Sequence, residues 1–394
     1  MVTAHSLATI LDPLGTETFF KEYWEKKPLV LHRGRPSAFA DLLSVHELGH
    51  LLADRDMHNP AVSLVDHTRK LHAEDYTHPS GLIDTVKLHR YFADGATLIM
   101  QSLETETPRL HRLVRALEAE TSTRFQANIY CTPGGAQGFN THYDSHDVIV
   151  LQVEGRKSWR LYDTPIALPY RRQEFHPKDF TAGEVSAEFV LEAGDVLYIP
   201  RGLMHDARSL EDTSLHITLG LMHTSWTDLV AEALSQLGLR DVDFRRALPI
   251  GFARADFDRA EARAYFKHLA TKLAALGDAD AALDFFAEDF VGTRHARLAG
   301  QFEQLARVAS LDLGATLTRR PEVVHRAYLD GEHAVLEVYG QVVRLPAVAW
   351  ASLLWMLAQP GPFALAAVEG SLDDAGKLVL ARKLIKEGVF TASL

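Results

Sequence analysis

Between Arg124 and Met222 the apolar residues fall into a period of two, and this stretch constrains the fold more than any other. Phe125–Cys131, Asp147–Val153, Arg156–Tyr162, Phe189–Leu191, Val196–Ile199 and Ser214–Leu221 all read as strands. Tight-turn signals separate them: Pro133-Gly134-Gly135, Glu154-Gly155, Ala193-Gly194-Asp195 and Arg201-Gly202. Many short strands joined this way close into a sandwich or a barrel. The flanks differ. Residues 1–125 mix helix and strand, with Thr16 or Thr18 as the cap of a helix carrying Phe19, Phe20, Tyr23 and Trp24. Pro28 should stop that helix, and Leu29–Leu31 reads as a short strand. Ser44 and Glu47 form a capping-box pattern for a helix through Leu52. A further helix is predicted over Asp84–Phe92 and a strand over Ala96–Gln101. Trp226 to about Ala309 is helical in pattern. Val323–Leu345 reads as short strands, and Ala347–Leu357 and Asp373–Glu387 as helices of a small terminal unit.

A chain of 394 residues with 47% hydrophobic and 24% charged residues is long enough for more than one domain and can bury a sizeable core. A net charge of −11 lacks the basic footprint of a general nucleic-acid binder and favours a basic partner. The single cysteine, Cys131, excludes an intrachain disulfide and a thiolate zinc site, so a reducing, cytoplasmic compartment is expected. Met1–Leu14 does not read as a signal peptide, and no run of 18 apolar residues suggests a membrane span.

The chemistry concentrates in His142-Tyr143-Asp144. Residues i and i+2 of an extended segment share a face, so one imidazole and one carboxylate converge. Alone this means little, because among 20 histidines about one such spacing arises by chance. The segment Gly194–His205 adds a turn, a buried strand, Pro200, a second turn and then His205. A barrel that brings the two segments together would place two histidines and one acid on one side of a metal. That is the facial arrangement of non-haem Fe(II) oxygenases, which leaves positions open for a 2-oxo acid and oxygen. Lys157 lies with Trp159 and Leu161 on the apolar face of its strand. It either meets an anionic ligand such as the distal carboxylate of 2-oxoglutarate or snorkels to the sheet rim. Asn128 and Tyr130 share one face of their strand, as do His216 and Thr218 of theirs. Those faces line a polar pocket or are simply wet.

Gly138–Asp144, continuing through Leu151–Tyr162, resembles the JmjC-type ribosomal oxygenases, and so do Phe19–Leu29 and Tyr198–Gly202 leading to His205. The resemblance covers about residues 15–225 and weakens beyond. It implies an α+β chain with a double-stranded β-helix (cupin/JmjC) core over 1–223, a helical dimerisation region over 224–309 and a winged-helix-like C-terminal domain over 310–394. It further implies an Fe(II)- and 2-oxoglutarate-dependent hydroxylase of a protein side chain, with a ribosomal protein or peptide as substrate, working as a homodimer; the alternatives are a hydroxylase of a small molecule or modified peptide and a non-catalytic, metal-binding cupin sensor. His142, Asp144 and His205 would be the catalytic iron ligands. Lys157 would hold the 2-oxoglutarate carboxylate, with Asn128, Tyr130 and, less surely matched, Thr218 in the cofactor pocket.

Three patterns compete. His46-Glu47-Leu48-Gly49-His50 matches the HExxH helix of zinc peptidases, with Glu74 as a conceivable third ligand. Val45, Leu48, Leu51 and Leu52 form the apolar stripe, so both histidines point to solvent, and the metzincin continuation fails at Ala53 and Asp56. His146 follows Asp144 on the same face and is a candidate second-shell, substrate-facing or metal-binding group, whereas His216 and His223 read as structural. The Asp373–Glu387 helix resembles a recognition helix in length only. Four basic and four acidic residues from 346 onward balance, so no direct DNA binding is expected.

Overall fold

The computed structural model describes residues 5–393, so the first four residues of the Met1–Leu14 segment lie outside the described residues. The chain divides into two compact units, Met1–His223 and Thr224–Leu394.

The first unit contains ten strands: β1 Leu29–Leu31, β2 Val62–Val65, β3 Thr97–Met100, β4 Arg124–Thr132, β5 Asp147–Glu154, β6 Lys157–Leu161, β7 Ala187–Leu191, β8 Val196–Ile199, β9 His205–Ser209 and β10 Ser214–Met222. Seven form one sheet in the order β1-β8-β5-β10-β4-β3-β2, and three form a second in the order β7-β6-β9. All pairs are antiparallel. The helices α1 Leu7–Ile10, α2 Thr16–Glu22, α3 Val45–Asp54, α4 Ala73–Tyr76, α5 Thr85–Ala93 and α6 Pro108–Thr121 accompany them. One apolar core gathers α-helical leucines such as Leu48, Leu88, Leu110 and Leu117 with alternate residues of the large sheet, among them Ile129, Ile149, Leu151, Ile217 and Leu219. A second core, containing Val148, Val150, Trp159, Leu161, Leu191 and Leu197, joins the two sheets. β5 is buried along nearly its whole length because its two faces serve the two cores.

Several expectations need correction. Gly15, not a threonine, precedes α2; Thr16 is its first residue and no side chain caps it. The Ser44 cap does form and accepts from Glu47 N–H. β2, β9 and α6 were not predicted. β9 has only Ala207 as an apolar residue inside His205–Ser209, so hydrophobic periodicity could not mark it.

The turn between β7 and β8 is locked to the segment after β1. The buried Asp195 carboxylate accepts from His32 Nδ1 at 2.8 Å, Arg33 N–H at 2.9 Å and Glu192 N–H at 3.0 Å. Gly194 sits at φ +90°, and a Cβ there would lie 2.0 Å from the Arg35 carbonyl oxygen. Both the backbone region and the close approach demand glycine.

The second unit opens with helices α7 Trp226–Arg240, α8 Ala260–Leu276, α9 Ala279–Gly292 and α10 Gln301–Arg307. It continues with strands β11 Thr316–Arg319, β12 His325–Asp330, β13 His333–Val338 and β14 Gln341–Pro346, helix α11 Trp350–Ala358, strand β15 Phe363–Ala364, helix α12 Asp374–Lys386 and strand β16 Phe390–Ser393. Two three-stranded sheets form, β15-β11-β16 and β12-β13-β14. The unit's apolar core is built from residues 308–390 and takes nothing from α7–α10. On α12 three of the four basic residues are occupied locally: Arg382 donates to the Leu311 carbonyl, Lys377 to that of Ala366, and Lys383 to Glu387. No helix among the described residues is long and apolar enough to cross a membrane.

Replacing Gly194 by alanine should cost about 2 kcal/mol or more, since positive-φ strain and a backbone collision add. Urea unfolding of the variant measures it; a loss below about 0.5 kcal/mol, the scale of an ordinary surface change, would show that the turn gives way freely.

Candidate metal centre

His142 and Asp144 lie between β4 and β5 in a segment that forms no regular strand. It is held against β9 by two isolated antiparallel bridges, Gln137 opposite Arg208 and His142 opposite His205; in the second, His142 N–H donates to His205 O at 3.1 Å and His205 N–H to His142 O at 2.8 Å. Gly202 N–H donates to Asp144 O at 3.0 Å. His205 is the first residue of β9, just past the Pro200–Met204 turn. Directly opposed residues of such a pair point their side chains to the same side, so both imidazoles enter the barrel together.

The ligand atoms of His142, Asp144 and His205 all lie within 4.8 Å of one another. The imidazole centroids are 4.7 Å apart, and His205 Nε2 is 3.6 Å from Asp144 Oδ2. His142 Nδ1 is 2.8 Å from the Asn140 carbonyl, and His205 Nδ1 is 3.0 Å from that of Leu203. A carbonyl only accepts, so each Nδ1 carries a proton, which leaves Nε2 as the atom that can bind a metal. Burial, with His142 alongside, pushes His205 down to about 4, so the ring is neutral near pH 7. Burial would raise the Asp144 carboxyl, but the imidazoles of His142, His205 and His146 outweigh it and hold it below the ordinary carboxylate value. Two imidazoles presenting Nε2 and one carboxylate, with the remaining side open, suit a divalent metal such as ferrous iron.

The three groups border a cavity that is also lined by Tyr130, Lys157, Trp159, His216 and Thr218. Lys157 is 4% exposed, which answers whether it snorkels: it does not. Its Nζ donates to Thr132 Oγ1 at 3.1 Å and approaches His216 Nδ1 at 3.5 Å, and neither partner is an anion. Burial lowers Lys157 to about 7 and also lowers His216 well below its usual value. Trp159 links the two ends of the cavity, its ring 5.7 Å from His216 and 6.1 Å from His205. Its buried Nε1 has no hydrogen-bond partner. A buried amine without a counter-ion and an orphaned N–H lining one cavity fit an anionic ligand, which would hold the proton on the amine.

The polar face of β10 is therefore buried rather than wet, with His216 stacked on Tyr130 at 4.9 Å and 6°. Thr218 lines the cavity, but Asn128, its cross-strand neighbour, does not; Asn128 Oδ1 instead accepts from Ser102 N–H at 3.0 Å. His146 turns to Gly220, where a Cβ would come within 3.0 Å of its ring. Phe139 and Phe175 flank His142, with ring centroids 5.4 and 6.4 Å away. Sequence reasoning gave neither phenylalanine a role, since neither belongs to a periodic segment.

The HExxH helix assembles nothing comparable. His46 and His50 are exposed, Glu47 is paired with Arg109 and with Ser44, and no group of metal-compatible residues among those described includes Glu74. A second convergence, Glu25, Asp147 and His223, is already filled by a cation: Arg201 bonds Asp147 at 2.6 Å and Glu25 at 2.7 Å.

Comparison with known proteins agrees with this geometry. A family profile described as JmjC domain matches residues 99–229. The chain is 32% identical over 307 residues to Ribosomal oxygenase 1 of Gallus gallus, covering 72% of this chain and 50% of that protein. It is 30% identical over 309 residues to the bifunctional lysine-specific demethylase and histidyl-hydroxylase NO66 of Aedes aegypti, covering 74% and 48%. The chain thus spans about half the length of the curated relatives it matches. Among solved structures, YcfD of Escherichia coli aligns over 97% of this chain and 99% of its own with a TM-score of 0.56 at 20% identity, a likeness of fold. The cupin-type double sheet, the profile match and the two relatives converge: the chain belongs to the JmjC-domain family that includes the ribosomal oxygenases.

Proposed function

We propose that this protein is an Fe(II)- and 2-oxoglutarate-dependent dioxygenase that hydroxylates a side chain of a ribosomal protein. The observation that carries the reading is the shared cavity of His142, Asp144, His205 and the unpaired cation Lys157. The relatives' names supply the substrate class, and a YcfD structure is described as a complex with cobalt and 2-oxoglutarate.

In this reading His142 and His205 offer their Nε2 lone pairs, and Asp144 offers an oxygen that offsets one of the metal's charges. Iron, 2-oxoglutarate and oxygen together supply the oxidation: a C–H bond becomes C–OH while the oxo acid loses carbon dioxide and becomes succinate. Lys157 Nζ pairs with the distal carboxylate, and Tyr130 and Thr218 supply hydroxyls on the same wall. Trp159, Val148 and Val150 exclude water from that end of the cavity. Phe139, in the cavity wall, and Phe175 stand beside His142 and offer an incoming side chain an apolar contact.

We extend the proposal to a homodimer formed through residues 224–309. α8 has no buried residue. Ile250 is 97%, Trp226 82% and Phe266 72% exposed, far more apolar surface than a solitary helix pair leaves to water. A second copy of the same region is the proposed cover.

Purified protein given Fe(II), 2-oxoglutarate and oxygen should form succinate, and Asp144→Ala should lower the rate by at least about a hundredfold; undiminished turnover by that variant would refute the metal assignment. Lys157→Ala should raise the KM for 2-oxoglutarate by about a hundredfold, the loss of a buried charge-assisted pair, with a KM within twofold of the parent's removing Lys157 from the pocket. Because free Lys157 titrates near 7 and an opposing carboxylate would raise that value, binding takes up a proton. Apparent 2-oxoglutarate affinity should then be level below pH 7 and fall by up to about tenfold per unit above it; titrations by calorimetry at pH 6.5 and 8.5 that agree would contradict this. Light scattering should give twice the 43.8 kDa chain mass, whereas the single mass would end the dimer proposal.

A further inference from the structure

Behind the proposed metal centre, on the outer face of the small sheet, one buried acid is fully engaged. Asp206 follows His205 in β9, and alternation turns its side chain away from the cavity side that His205 faces. Its Oδ1 accepts from Arg160 Nε and Nη2, both at 2.9 Å. Its Oδ2 accepts from Thr141 Oγ1 at 2.7 Å and Tyr162 Oη at 2.6 Å. Thr141 stands to His142 as Asp206 stands to His205, one residue along and on the opposite face. Arg160 is the direct cross-strand partner of Asp206, and Leu161 that of His205.

The segment carrying His142 and Asp144 needs such a tether. Its bridge to β9 at His142–His205 is isolated: the other, Gln137 opposite Arg208, lies five residues back, and Gly202 N–H bonds Asp144 O on the far side. No regular ladder runs between these anchors to set the angle of His142 against β9, and that angle sets the separation of the two imidazoles. The Thr141–Asp206 bond, one residue from the bridge and on the opposite face, fixes it. Arg160 and Tyr162 in turn fix the rotamer of Asp206 from β6, the strand that also carries Lys157 and Trp159. One carboxylate therefore joins the two ligand-bearing segments to the strand that carries the anion-binding cation.

We propose that Asp206, with Thr141, Arg160 and Tyr162 as its donors, is a positioning residue that fixes the geometry of His142 and His205 from outside the barrel. The inference rests on the metal-centre reading above. It assigns Asp206 no contact with metal or substrate. Its effect should appear in metal affinity and coordination geometry, as for residues that orient metal ligands without touching the ion.

The test is a titration of the full-length protein with Co(II), following visible absorption and calorimetry. Thr141→Val keeps shape and removes the one hydroxyl that joins the segments, and Thr141→Ser restores it. Thr141→Val should bind Co(II) about ten- to a hundredfold more weakly, with an altered visible band and little change in the urea midpoint, while Thr141→Ser should match the parent. Tyr162→Phe, which also removes a donor to Oδ2, should shift affinity in the same direction by a smaller factor, and it decides the matter if the valine variant does not fold. Parent protein that binds no Co(II) in a manner abolished by His142→Ala would overturn the metal-centre reading itself. Parent binding that Thr141→Val and Tyr162→Phe both reproduce in affinity and spectrum would overturn the positioning role while leaving the metal centre standing.

Discussion

The site depends on the exchange of two backbone hydrogen bonds between His142 and His205. Residues 63 positions apart in sequence are brought face to face by this bridge, and the convergence of the three ligand groups follows from that proximity. It sets the imidazoles side by side, adds to the burial that lowers His205, and brings both rings to the Asp144 carboxylate. Regular ladders on either side would have been stronger, but they would have placed a continuous strand where the cavity must open. The irregular segment is supported instead by side chains: Thr141 to Asp206, Tyr143 Oη to the Gln173 carbonyl, and the two Nδ1 contacts to carbonyls two residues upstream.

A second buried network explains why two remote sequence segments both mark the family. Asp147, wholly buried, accepts from Tyr198 Oη at 2.8 Å and from Arg201, and Arg201 reaches on to Glu25. The Tyr198 hydroxyl also accepts from Glu25 N–H at 2.9 Å. The N-terminal Tyr23-Trp24-Glu25 stretch is thereby bonded to the Tyr198–Gly202 stretch that leads into His205, and Trp24 stacks on the Tyr198 ring. Breaking one partner of such a buried ionic pair leaves a charge without compensation, which costs more than the pair itself contributes. The two motifs are coupled by contact, although 173 positions separate Glu25 from Tyr198.

Much of this was legible from the residue pattern because burial and period agree. β5, β6, β8 and β10 lie within one or two residues of their expected bounds, and the face of β6 holding Lys157, Trp159 and Leu161 is the buried one. The convergence of His142, Asp144 and His205 also followed from strand alternation once a barrel was assumed. What stayed hidden has a common physical cause. β9 is short and polar on both sides because one side faces the centre and the other faces the Asp206 cluster, so no apolar period exists to read. Asn128 shares a strand face with Tyr130, yet its carbonyl oxygen is used by Ser102, a partner that sequence spacing does not reveal. The helical stretch expected over Trp226–Ala309 proved to be four helices, broken by a long apolar-bearing loop whose Leu248, Ile250 and Phe252 are exposed.

The environment of Lys157 has one more consequence. Thr132 and His216 leave the amine short of any negative charge, so the protein alone does not settle its ionisation near neutrality. Whatever enters that end of the cavity completes the electrostatics of the fold. Neutral molecules of similar shape meet a site that is equally comfortable without its proton, while a dicarboxylate both recruits the proton and fixes it. Selection at this end of the pocket therefore works on the charge of the guest before its outline, and the occupied protein should be the more rigid of its two forms.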